Sequence, residues 1–370
     1  MMQAALEDLL VLDFSTLLPG PLASLMMAEA GAKVIKIERP GIGDEMRTYL
    51  PEFGEYSANF AMLNRGKESL ALDLKDPAAR SVLEPLVAKA DIIIEQFRPG
   101  VMKRFGLDYD TVRTINAGVV YCSITGYGQT GPLSNKAGHD LNYMAETGCL
   151  GTTADADGNP TLPPVLAGDI AGGSYPALIN ILMALLRRQR TGEGCYIDIA
   201  MTDSLFTFLF WALGEGFGTG QWPSVGQGLI TGRSPRYAIY RTSDHRHFSV
   251  AALEERFWVR FCEIVGLESE YCDDERDAQA TKRRLTEIIA GRTAAEWQAA
   301  FDGEDVCCAI VASVEEATQN PQFRSRGLFS REVTSDGCKM PALPVPLVES
   351  LRSSETDRES PRLGANSRTT

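Results

Sequence analysis

Short apolar runs alternate with longer amphipathic segments through the first third of the chain. Residues 9–14 read as a buried strand, 21–29 as a helix stopped by Gly31, and 34–37 as a second strand ending at Glu38. The strand pattern returns at 69–74, 91–94 and 119–124, with helical periodicity over 77–90 between the first two. Strands separated by helices of this length predict a parallel, doubly wound sheet. The middle of the chain changes character. Residues 175–190 form a strongly apolar helical pattern that closes on Arg187, Arg188 and Arg190 before Gly192. A strand over 195–200 and a second apolar helix over 203–213 follow, and the Gly- and Pro-punctuated stretch 214–236 reads as a linker. Residues 237–241 and 248–252 flank Ser243-Asp244-His245 as a β-hairpin, and helices at 255–265, 278–290 and 294–301 complete a smaller α+β domain. From Ser350 the chain is polar and reads as an extended tail.

The 370 residues leave room for about two domains, and a 44% hydrophobic content suffices for a proper core. Acidic residues outnumber basic ones 49 to 36, a formal charge of −13 that argues against bulk binding to nucleic acid or an anionic membrane. No apolar run approaches the ~20 residues of a membrane span. The start, Met1-Met2-Gln3-Ala4-Ala5-Leu6-Glu7-Asp8, lacks the basic segment and apolar stretch of a secretory signal. Eight cysteines without a CxxC pair read as reduced thiols of a cytoplasmic protein. His139, His245 and His247 make no zinc pattern, so no metal is expected.

The glycine fingerprint of a dinucleotide site is missing, since the first strand is followed by Thr16-Leu17-Leu18-Pro19-Gly20-Pro21. A basic cluster stands out instead: Lys33, Lys36, Arg39, Arg65, Lys67, Lys75, Arg98, Lys103 and Arg104. Most of it sits at the ends of the early strands, where open α/β sheets place ligands. It would suit the phosphates of a nucleotide-like cofactor, with solvated loop charge as the alternative. In Gly138-His139-Asp140-Leu141-Asn142-Tyr143, Asp140 is placed to cap a short helix that Gly148 ends. His139 then lies on a turn, either facing a cleft or simply packed. Gly168-Asp169-Ile170-Ala171-Gly172-Gly173-Ser174 leads into the apolar helix, and its glycines let backbone N–H groups approach a ligand closely. Either Asp169 or Ser174 can cap that helix; with Ser174 capping ahead of Pro176, Asp169 is spare for chemistry. Glu254, at the end of the hairpin, reads on its own as a surface or capping acid.

Taken together, these blocks make the chain similar to the family III CoA-transferase superfamily, and within it to the α-methylacyl-CoA racemases. The carriers run nearly end to end. They are Pro19-Gly20-Pro21, Asn64 to Leu70 with Leu72-Asp73-Leu74-Lys75 after it, Phe97 to Met102, Thr125 to Gln129 and Gly138 to Tyr143. Asp169 with its glycines, Arg190-Thr191-Gly192 and Tyr240-Arg241-Thr242 complete the set. Each block alone is weak; their order is specific. The resemblance implies a Rossmann-like large domain from residues 1–200 and 325–370, a linker helix and loop over 201–229, and a small α+β domain over 230–324. It also implies an interlocked homodimer, with the active site between the large domain and the small domain of the other subunit.

The same resemblance implies that Asp169 is the catalytic aspartate, an acid/base in racemases and the acyl-carrying nucleophile in transferases. His139 matches the partner histidine of the racemases, and Glu254 the acid that orients it. The reaction implied is inversion of the α-carbon of 2-methyl-branched acyl-CoA thioesters through an enolate. The alternative is CoA transfer between an acyl-CoA and a carboxylic acid through an aspartyl intermediate at Asp169. CoA would meet Lys36, Arg39, Leu72, Asp73, Leu74, Lys75 and Arg98, with the thioester along Gly138, Asp140, Leu141, Asn142 and Tyr143. Gly172 would give a backbone N–H to the enolate oxygen. No cofactor beyond the CoA of the substrate, no metal, no nucleic acid and no membrane partner is expected. One departure is Leu363-Gly364-Ala365-Asn366-Ser367, where the family usually ends in a Gly-Glu-His-Thr-like segment; it bears on the contacts of the tail.

Overall fold

The apolar runs of the first third become the strands of one parallel sheet. In the computed structural model, which describes residues 4–155, 157–355 and 357–367, six strands build it. They are β1 (Leu10–Asp13), β2 (Lys33–Glu38), β3 (Glu68–Ala71), β4 (Ile92–Glu95), β5 (Val120–Thr125) and β6 (Cys195–Ala200), in the order β3-β2-β1-β4-β5-β6. β1 runs beside β2 from Leu10↔Lys33 to Asp13↔Lys36, and beside β4 from Val11↔Ile92 to Asp13↔Ile94. The order reverses at β1, so the crevice between the C-terminal ends of β1 and β4 is where a sheet of this topology binds its ligand. Leu12, Ile35, Leu70, Ile93 and Tyr121 on one face pack against Leu83, Val87 and Val112 from the crossover helices. Helix α1 (Pro19–Glu29) is buried at every residue, which its apolar sequence permits on all sides. Helix α2 (Asp140–Glu146) follows β5.

The apolar helix starts earlier than its periodicity indicates. Ala167–Asp169 is already α-helical, Ile170–Ser174 is a π turn, and α3 (Tyr175–Thr191) continues the same axis. Ser174 is therefore no cap; its hydroxyl donates to the Pro19 carbonyl oxygen at 2.7 Å, and Asp169 occupies the first turn. The joined helix Ala167–Thr191 has 25 residues and is long and apolar enough to cross a membrane by length and composition. Counting only from Tyr175 hides this. Its buried residues, Ala177, Ile181, Ala184 and Leu185, belong to a face that packs on β5 and β6.

The tail is extended and also tied down. Asp357–Glu359 pairs in parallel with Glu332–Ser335, which pairs antiparallel with Cys338–Pro341. Farther on, the amide of Ser69 donates to Asn366 Oδ1 and that of Ala71 to Ser367 Oγ, each at 3.1 Å. The unusual ending thus satisfies the open edge of β3. Residues 1–3, on which the signal-peptide reading partly rests, lie outside the described residues.

The chain divides into two compact units: Met1–Glu146, Val165–Phe206 and Pro321–Thr370 form the first, Thr147–Pro164 and Thr207–Asn320 the second. Residues 147–164, read as part of the large domain, thus belong to the second unit, where the amide of Gly226 donates to the Thr152 carbonyl at 3.2 Å. The predicted 203–213 helix breaks into Met201–Leu205 and Phe210–Thr219, and the latter runs into the supposed linker before Gly220 ends it at φ 76°. In the second unit the hairpin Tyr237–Arg241/His247–Ala251 forms with Arg241 opposite His247. Cys308–Ile310 adds an edge strand that three residues of sequence do not announce. Phe248, Trp258, Phe261, Leu285, Ile289 and Trp297 make its core.

Candidate functional site

A cleft of about 450 Å³ opens in the first unit beside the C-terminal ends of β4 and β5. Leu17, Gln96, Arg98, Thr125, Lys136, His139, Asn142, Tyr143 and Asp169 are among the residues that line it. His139 and Asp169, thirty residues apart in sequence, thus share one wall-to-wall space. Among the described residues no group of three or more His, Cys, Asp or Glu side chains is placed to hold a metal ion.

Helix α2 positions both. The amide of His139 donates to Asn142 Oδ1 at 3.0 Å and the amide of Asn142 returns a bond to the His139 carbonyl at 2.8 Å. His139, not Asp140, is therefore the capping position, and its exposed ring stands at the mouth of the helix. Asp140 is buried and does something else: its Oδ1 accepts the amide N–H of Asp169 at 2.9 Å. Tyr143 locks the turn before the helix by donating its hydroxyl to the Gly138 carbonyl at 2.5 Å. A Cβ on Gly126 would lie 2.4 Å from the Tyr143 ring, so the close approach requires glycine there.

Burial pushes the Asp169 carboxyl up, the Asp140 charge pushes it further, and His139 opposes both; the outcome is about 6. An acid with that affinity exchanges protons near neutrality.

Several predicted contacts move. Lys36 is fully buried, with Nζ 2.9 Å from Asp44 Oδ2 and donating to the Ser15 carbonyl at 2.7 Å, so it is withdrawn from any phosphate. Lys67 is spent on Asp13 at 3.2 Å and Asn64 at 2.8 Å, and Arg65 on Glu29 at 2.8 Å. Arg39, Lys75, Arg98, Lys103 and Arg104 remain exposed. β3 ends at Ala71, so Leu72 and Leu74 are half-buried against the core and Asp73 makes a turn by accepting the Lys75 amide at 3.0 Å. Leu141 is exposed and does not line the cleft. Gly172 is buried in the π turn, where a Cβ would meet the Met201 carbonyl at 2.6 Å, and it too is off the cleft; it is not in place as the oxyanion donor. Glu254 belongs to the second unit, exposed at the N-cap of Glu255–Val265 and making no side-chain capping bond.

Gln96, Leu17 and Lys136 are among the cleft residues that escaped the sequence reading. Gln96 accepts the Gly20 amide at 2.9 Å and so joins β4 to the start of α1. Leu17 holds φ at 62°, with its amide on Asp44 Oδ1 at 3.1 Å. Lys136 stands in the loop before α2. Gln96 alone had a signal, its place just after a strand end in a doubly wound sheet.

A 3-2-1-4-5-6 sheet with an aspartate and a histidine on one cleft at its strand ends defines a doubly wound α/β protein with a candidate acid/base site. The chain belongs to CoA-transferase family III, whose model matches residues 6–367. It is 32% identical to the alpha-methylacyl-CoA racemase of Homo sapiens, over 97% of this chain and 91% of that one. It is 34% identical to the acetyl-CoA:oxalate CoA-transferase of Acetobacter aceti, over 92% of this chain and 88% of that one. A CAIB/BAIF family protein from Brucella suis superimposes with a TM-score of 0.84 at 29% identity, covering 99% and 98% of the two chains.

Proposed function

We propose that the protein is an acyl-CoA racemase that inverts the α-carbon of 2-methyl-branched acyl-CoA thioesters. The carrying observation is the pair His139 and Asp169 lining one cleft, with the Asp169 carboxyl raised to about 6. The α-proton of a thioester is weakly acidic, so its removal needs a positioned base, and inversion needs a protonated group on the opposite face. With neutral His139 as base, protonated Asp169 delivers the new proton; with Asp169 ionised, the roles exchange. Exposed Arg98, at the cleft, and Arg39 and Lys75 are the cations that would hold the CoA phosphates.

The rival reading is CoA transfer, with Asp169 attacking the thioester to form a mixed anhydride and release CoA thiolate. The likeness to an oxalate CoA-transferase favours it as much as the racemase likeness favours inversion. A 2-methylacyl-CoA incubated in heavy water decides. The racemase incorporates deuterium at the α-carbon and scrambles configuration, and His139→Ala lowers that rate on the order of a hundredfold or more. Absence of exchange, with CoA passing to an added carboxylate, overturns the proposal.

A further inference from the structure

We propose that Asp140 is the positioning residue of this site, seating Asp169 and keeping it a proton carrier rather than a permanently ionised carboxylate. The inference rests on the racemase reading only for its catalytic consequence. Asp169 lies in the first turn of a 25-residue helix, where unbonded amides and the helix dipole ordinarily stabilise an anion. Here the amide of Asp169 is already committed to Asp140 Oδ1 at 2.9 Å. Asp140 therefore takes up part of the positive pole and also sets a second negative charge beside Asp169. The approach is tight: a Cβ on Gly168 would sit 3.0 Å from the same Oδ1. Asp140 is buried and absent from the cleft lining, so it acts through Asp169 and not on a ligand. The other ionisable groups facing Asp169 are His139 and Tyr143, with Arg98 and Lys136 elsewhere on the cleft.

Asp140 also ties Asp169 to α2, whose Asn142 clamps the backbone of His139. One short helix thereby sets the distance between the two proton carriers.

Asp140→Asn keeps an acceptor for the amide and removes the charge; Asp140→Ala removes both. Two readouts are needed: the pH profile of α-proton exchange, and the titration of the Asp169 carboxyl by infrared difference spectroscopy, assigned with Asp169→Asn. In Asp140→Asn the carboxyl titration and the acid limb of the profile should both move down by about one pH unit. In Asp140→Ala kcat should fall on the order of a hundredfold, with KM changing less. A carboxyl titration that is the same in wild type and Asp140→Asn overturns the proposal, even if Asp140→Ala fails to fold. Wild-type protein that exchanges no α-proton refutes the racemase reading, while the infrared titration still judges Asp140.

Discussion

Lys36 separates two views of the basic cluster. If it bound a CoA phosphate, replacing it would weaken CoA and leave the fold alone. In the structure it is sealed within β2 against Asp44 and the Ser15 carbonyl, with Asp13 and Glu38 also within its field. Burial lowers its proton affinity and the three carboxylates more than restore it. Lys36→Met keeps most of the volume and leaves Asp44 facing a low-dielectric interior. Asp44 cannot retreat, because Oδ1 accepts the amides of Leu17 at 3.1 Å and Met46 at 3.0 Å. Removing one member of such a buried pair costs about 3–5 kcal/mol. At about 2–4 °C per kcal/mol for a unit of this size, the thermal midpoint should fall by roughly 6–20 °C. Adding Asp44→Asn removes the stranded charge while keeping an acceptor, so the double variant should regain part of the loss. Thermal unfolding and calorimetric titration with CoA, run on Lys36→Met and Arg98→Ala, make the comparison. Arg98→Ala should weaken CoA about tenfold, ~1.4 kcal/mol, with an unchanged midpoint. A Lys36→Met protein of wild-type stability and tenfold weaker CoA binding would refute the reasoning.

With Asp169 raised to about 6, α-proton exchange that uses its carboxylate as the base should climb as pH rises through that value, since below it the carboxyl already holds its proton. A rate–pH profile whose acid limb falls near 4 would show instead an unperturbed carboxylate. Gly126→Ala drives a methyl to within 2.4 Å of the Tyr143 ring and should cost about 1–3 kcal/mol while displacing the loop that carries His139. Urea unfolding and kcat measured together check this, and a variant normal in both would mean the Tyr143 wedge carries no strain to the site.

The doubly wound sheet was readable because its strands are short apolar runs between helices, and 195–200 matches β6 residue for residue. Lys36 is not ligand-facing: it interrupts Val34-Ile35-Lys36-Ile37, a run buried on both faces of a parallel sheet, where a cation must find an internal partner. Spacing alone makes Asp140 a cap, because sequence cannot tell an aspartate that caps its own helix from one that reaches another. The π turn escaped for a related reason: Pro176 suits a first turn, and nothing local reveals that the helix arrives there already formed. His139 and Asp169 were picked from sequence, but their common cleft depends on a tertiary contact between α2 and the Ala167 end of the long helix.

The net charge of −13 gives a poor picture of what a polyanionic thioester would meet. Of the nine cations gathered near the early strands, Lys36, Arg65 and Lys67 are neutralised inside the first unit, and Lys33 pairs with Glu68 at 3.0 Å. Lys33 and the other five are exposed, with Arg98 on the cleft that holds Asp169. That partition has a chemical consequence. Buried lysines compensated by carboxylates add little field at Asp169, and its first-turn amide is spent on Asp140. The buried cations are thus spent on the scaffold, while the exposed ones are left for phosphate. In the proposed racemase this division lets one chain attract a highly charged substrate and still keep, on the same cleft, an acid able to hold its proton near neutral pH.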